Sequence, residues 1–145
     1  LSQIWAQTMA AYFDIKTMVC YSGGTEATAM FPKVGETLSN QGFRINKLSE
    51  GENPIYSVKF SENEPPIIAF SKEFSSDFNP KSEFAAIMTC SSADEACPIV
   101  LGCEKRIAIT YEDPKKSDGT PHQTETYLER SLQIATEMKY VFSKV

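Results

Sequence analysis

Two cysteines, Cys90 and Cys97, bracket the short polar segment Ser91-Ser92-Ala93-Asp94-Glu95-Ala96 and follow directly on the apolar run from Phe84 to Met88. A disulfide needs its Cα atoms within about 4.4–6.8 Å, so the segment between these thiols must bend or unwind to join them. The spacing therefore suits a thiol pair that opens and closes, one sulfur attacking and the other resolving. The alternative is two small apolar side chains, since free cysteine is commonly buried. Cys90 ends an apolar strand, which fits burial, whereas Cys97 lies in a polar stretch, which fits reactivity. Asp113-Pro114 is the next candidate: a carboxylate at the end of a second apolar run, its successor's φ set by proline. Such a position suits general acid chemistry toward a leaving oxygen, and it equally suits a plain turn. Lys115 and Lys116 offer charge for an oxyanion or simply a solvated loop. His122 reads as a surface residue, Cys20 as core, and Cys103 as a spare thiol or none of these.

Elements must exist to place these groups. Ile4, Trp5, Met9, Tyr12 and Phe13 recur at helical intervals, which predicts an amphipathic helix over residues 1–13. Thr17 to Tyr21 reads as a strand closed by Ser22-Gly23-Gly24. Pro32 to Gly42 reads as a helix, with proline early and glycine as its stop. Ile55–Phe60 and Ile67–Phe70 predict a hairpin whose second strand, beside Pro65 and Pro66, belongs at an edge. Ser71 to Ser82 is breaker-rich loop. Phe84–Met88 and Arg106–Thr110 read as buried parallel strands, each with candidate site residues at its carboxyl end. Thr120, Pro121 and Gln123 form a capping-box signature for a final helix whose inner face is Leu128, Ser131, Ile134, Ala135, Met138 and Phe142. Strands alternating with helices imply an α/β layer fold.

At 145 residues the chain has the size of one domain, 1–145. Fourteen basic against nineteen acidic residues argue against a nucleic-acid or anionic-membrane binder. No apolar run approaches the ~20 residues of a membrane span. Four cysteines in a chain this large do not resemble a secreted disulfide scaffold, so a reducing cytoplasm is expected. None of the cysteine spacings is a tight zinc pair, and no glycine-rich nucleotide fingerprint or serine elbow is present, so no metal or cofactor is expected.

Taken together, these pieces resemble the low-molecular-weight tyrosine phosphatase family, and within it the thioredoxin-coupled arsenate reductases. Leu1-Ser2-Gln3 with Trp5 resembles the helix after the phosphate-binding loop, and Tyr21-Ser22-Gly23-Gly24-Thr25-Glu26 the family's second-strand element. Cys90, six residues, then Cys97-Pro98 resembles the redox pair, and Tyr111-Glu112-Asp113-Pro114 the Asp-Pro loop. The resemblance implies a phosphatase-like three-layer fold with a mostly parallel sheet flanked by helices, and a hairpin insertion near residues 50–80. It implies that a cysteine in a C-x5-R loop attacks arsenate, that Cys90 displaces arsenite from it, and that Cys97 resolves the disulfide for thioredoxin. Asp113 would assist the leaving oxygen. The C-x5-R loop and its central strand are expected ahead of Leu1, so the 145-residue polypeptide is expected to be an incomplete domain that cannot turn over arsenate or a phosphate ester. Two other functions stay open: a tyrosine phosphatase using Asp113 as general acid, and a catalytically dead binding module of the same fold.

Overall fold

The computed structural model describes residues 1–89 and 100–145. Helix α1 (Ser2–Tyr12) comes first, then α2 (Pro32–Asn40), strands β1 (Arg44–Lys47), β2 (Tyr56–Lys59), β3 (Ile67–Ala69), β4 (Phe84–Met88) and β5 (Cys103–Ala108), a 3-10 turn (Pro114–Ser117) and helix α3 (Gln123–Ser143). The described residues form a mixed α/β structure with two small sheets.

Both early helices end in the same way. At the end of α1, Asp14 takes φ 57°, its N–H bonds to Ala11 O at 3.0 Å, and the Ile15 N–H reaches Ala10 O at 2.8 Å. At the end of α2, Gly42 takes φ 100°, with Gly42 N to Ser39 O and Phe43 N to Leu38 O both at 3.1 Å. These are Schellman motifs, which satisfy carbonyls that the last turn leaves open. In the second, Phe43 also packs with Leu38, so the stop turns the chain straight into the core and on to β1.

The expected hairpin is present: β2 and β3 pair antiparallel, Val58 opposite Ile67, with β3 at an edge of the order β1-β2-β3. Strand β1, which the sequence reading passed over, pairs antiparallel with β2. Its residues Arg44-Ile45-Asn46-Lys47 carry only one apolar side chain, so periodicity alone does not reveal it.

The single mostly parallel sheet expected from the sequence is not what forms among the described residues. Parallel pairing joins β4 to β5, Ala86 opposite Arg106, while the three-stranded sheet is antiparallel. Neither strand of the parallel pair is buried throughout; in β4 only Met88 is buried. A tight backbone approach anchors this pair. Gly102 has φ 85°, and a Cβ there would lie 1.9 Å from Lys81 O, so no larger residue fits.

Thr17 to Tyr21 is not a strand. Its polar backbone is met by side chains of α1 instead: the Gln7 amide accepts from Cys20 N at 2.8 Å and donates to Met18 O at 3.2 Å, while Gln3 donates to Cys20 O and Ile68 O, both at 3.1 Å. Pairing begins just afterwards, where Gly24 bridges Glu73 in parallel. The cap of α3 also differs from expectation. Thr120 Oγ1 donates to Ser117 O, and Gln123 Nε2 bonds to Asp118, so the capping box does not form and the helix begins at Gln123.

Two apolar clusters share the start of α1. Ile4, Leu38, Phe43, Val58, Ile67 and Ala69 fill the space between α1, α2 and the antiparallel sheet. Ala6, Ala10, Ile134, Met138 and Phe142 fill the seam between α1 and α3, and Leu1 and Trp5 pack against both clusters. Trp5 is fixed from two sides: its ring meets Phe43 edge-on at 5.0 Å, and its Nε1 donates to Ser131 Oγ at 2.8 Å. The inner face of α3 is Tyr127, Ser131, Ile134, Ala135, Met138 and Phe142; Leu128, expected inside, is 41% exposed and Tyr127 takes its place. Among the described residues no helix is long and apolar enough to cross a membrane.

Candidate functional site

Where β4 and β5 end, the ladder continues for a few residues beyond the regular strands. Ile109 N bonds to Met88 O at 3.0 Å, and Tyr111 N to Thr89 O at 2.7 Å. This delivers Thr89 and the segment Tyr111 to Lys115 to the wall of a cavity of about 550 Å³. Leu1 and Ser2 bring the amino end of α1 to the same cavity, Phe31 and Val34 come from the start of α2, and Tyr127, Arg130 and Ile134 come from α3. The carboxyl ends of parallel strands and the amino end of a helix thus meet at one place. No side chain caps α1, so its first-turn N–H groups are without a capping partner, and partial positive charge collects there.

Asp113 lies on this wall. The turn reading of it holds: it caps the 3-10 turn, its Oδ1 accepting from Lys115 N at 3.0 Å, and the same residue lines the cavity. Lys115 lines the cavity beside it. Lys116 does not; it pairs on the surface with Glu112 at 3.7 Å.

Four further carboxylate and phenol groups lie on the wall. Asp118 Oδ1 accepts from Tyr127 Oη at 2.8 Å and from Gln123 Nε2 at 3.3 Å, so it is committed to holding the start of α3. Burial, the Asp118 hydrogen bond, and the charges of Asp118 and Asp113 all push the Tyr127 phenol upward, which keeps it a neutral donor. Burial, reinforced by the charge of Glu137, raises Tyr111 to about 12. Glu112 reaches toward Arg130 at 3.9 Å.

Cys90 and Cys97, the redox candidates, lie outside the described residues; Cys90 is the next residue in the chain after the cavity-lining Thr89. Cys20 is half-buried against the α1–α3 cluster, and burial raises its thiol to about 11, which makes it a poor nucleophile. Cys103 opens β5 and is half-buried. His122 is exposed at the N-cap of α3. Among the described residues no group of three or more His, Cys, Asp or Glu side chains is placed to hold a metal ion.

The sequence reading missed Arg130, Tyr127 and Phe31. The spacing of Tyr127, Arg130 and Ile134, three and four residues apart on α3, was the available signal. Placing Leu128 rather than Tyr127 on the inner face concealed it.

No family model matches this chain, and no curated protein matches it.

Proposed function

We propose that this chain is an arsenate-reductase-like protein of the low-molecular-weight phosphatase type, with the cavity beside Asp113 as its oxyanion site and Cys90 and Cys97 as its redox pair. The observation that carries the reading is the cavity itself. It gathers the amino end of α1, the carboxyl ends of β4 and β5, and Asp113, the arrangement in which α/β folds bind anions.

In this reading the cysteine of a C-x5-R loop, which the family resemblance implies, forms the arsenate adduct with loss of water. The Cys90 thiolate then attacks that sulfur; the electron pair of the sulfur–arsenic bond leaves with arsenic, which departs as arsenite. Cys97 displaces the first cysteine, and a thioredoxin dithiol supplies the two electrons that reopen the Cys90–Cys97 disulfide. Asp113 serves the leaving oxygen as proton donor. The cytoplasm is the compartment whose reducing poise this relay requires.

The test is chemical mapping of the thiols. Mild oxidation of the purified protein should give a Cys90–Cys97 disulfide by peptide mass spectrometry, and thioredoxin with its reductase should consume one NADPH per disulfide reopened. A bridge to Cys20 or Cys103 instead, or a Cys90–Cys97 disulfide that thioredoxin leaves intact, sinks the reading.

A phosphatase reading has its own support, because the exposed ring of Phe31, backed by the buried Tyr127, offers an aryl ester an apolar face on the cavity wall. In a protein that carries a C-x5-R loop together with this chain, Asp113→Asn should then slow aryl phosphate hydrolysis about 10²–10⁴-fold. Cys90→Ser and Cys97→Ser should leave that hydrolysis unchanged while abolishing arsenate reduction. A fold that binds phosphate and turns over neither substrate is the outcome expected of a binding module.

A further inference from the structure

Arg130 stands apart from the other basic residues. Its side chain is 13% exposed and lies on the cavity wall two elements away from Asp113 in sequence. Its Nε is buried with no hydrogen-bond partner among the described residues. One Nη bonds to Gln133 on the same helix, and the other sits 3.9 Å from Glu112 Oε2. A guanidinium seldom stays so underused. Charge-assisted bonds to carboxylate close at about 2.7–2.9 Å, so the Glu112 contact is an attraction rather than a clasp.

Glu112 is also shared. Its other oxygen lies 3.7 Å from Lys116, which is exposed, so this carboxylate keeps a cation and water whether or not Arg130 attends it. Arg130 is the more deeply enclosed of the two cations, and the one on the cavity wall.

Resting on the oxyanion reading of the cavity, we infer that Arg130 is an anion-binding residue of this site and that Glu112 is its resident counter-ion, released toward Lys116 when a phosphate or arsenate arrives. The planar fork of an arginine matches two oxygens of a tetrahedral oxyanion, which a lone lysine does not. This guanidinium comes from the carboxyl-terminal helix and is separate from the arginine of a C-x5-R loop.

Two variants move in opposite directions under this scheme. Isothermal titration of the protein with inorganic phosphate, and separately with arsenate, should show Arg130→Met weakening both about tenfold or more. Arg130→Lys should fall between. Glu112→Gln should tighten binding severalfold, because it removes the competing carboxylate. A strut role for Arg130, holding the loop through Glu112, predicts instead that Glu112→Gln weakens binding along with Arg130→Met, and that result overturns the inference. So does unchanged affinity in Arg130→Met, even if thioredoxin still reopens a Cys90–Cys97 disulfide and the broader reading survives. Absence of any anion binding in the unmodified protein overturns both. Should Arg130→Met fail to fold by circular dichroism, Glu112→Gln decides: affinity equal to or below the unmodified protein refutes the exchange.

Discussion

Replacing Ser131 by alanine tests how α3 is set in place. Ser131 is wholly buried, and its hydroxyl does two jobs: it accepts from Trp5 Nε1 at 2.8 Å and donates to Gln41 Oε1 at 2.6 Å. One oxygen thereby ties α1, α3 and the end of α2. Alanine keeps the Cβ but leaves a partly buried indole N–H and an amide oxygen without partners. Unsatisfied polar groups of that kind cost about 1–3 kcal/mol. For a chain of this length each kcal/mol lowers the melting midpoint by roughly 2–4 °C, so a fall of roughly 2–12 °C is expected. Urea titration followed by far-ultraviolet circular dichroism, which does not depend on the single tryptophan, gives the free energy directly. A cycle with Trp5→Phe isolates the contact, and the pair should be non-additive by about 0.5 kcal/mol or more. A Ser131→Ala loss below about 0.3 kcal/mol, or strict additivity with Trp5→Phe, would show that the three-helix tie carries no energy. The outcome bears on the site as well, because Arg130 and Tyr127 share this stretch of α3 and reach the cavity only if the helix keeps its rotation.

Two further expectations rest on local physics. Asp14 occupies the left-handed position that glycine prefers, so Asp14→Gly should stabilise the fold by about 0.5–1 kcal/mol in urea, and a loss would refute the Schellman reading of this helix end. Lys72 is 4% exposed, its Nζ held by Ser22 Oγ at 3.1 Å and lying 4.5 Å from the Phe70 ring centroid, with no carboxylate partner among the described residues. Desolvation holds its amine below the ordinary 10.5, so the unfolded chain binds more protons there and stability should rise as pH climbs toward that value. The slope from one such group is at most about 1.4 kcal/mol per pH unit, and Lys72→Met should remove it. Measurement below pH 9 keeps clear of Cys20, Tyr111 and Tyr127, whose raised acid groups take stability away as pH rises above their unfolded values. Identical pH profiles for Lys72→Met and the unmodified protein would refute the assignment.

Legibility in the sequence varied with how local the signal was. The hairpin of β2 and β3 was readable because aliphatic and aromatic runs flank a Pro-Pro breaker, and β4 because its residues are a continuous apolar run. The stop of α2 was readable from Gly42. Strand β1 was not, because a strand defined mainly by its partner's hydrogen bonds needs little apolar pattern of its own. Thr17 to Tyr21 misled for the converse reason. Its side chains favour a strand, yet Gln3 and Gln7 satisfy its backbone from a helix, which no local pattern announces.

The candidate site divides along the same line. Asp113 is legible because proline and the preceding apolar run mark a loop at a strand end, and its turn chemistry is purely local. Arg130 is not legible, since an arginine on an amphipathic helix looks like any solvated charge until the helix's rotation is known. That rotation is set by contacts far apart in sequence, Trp5 with Ser131 and Ser131 with Gln41. Residue types and short-range spacing determined the helices, the β2–β3 hairpin, β4 and which loop carries a carboxylate. Only tertiary packing, which brings residues ninety or more positions apart within bonding distance, decided which side chains face one cavity, because enclosure is a property of several elements together and of none alone.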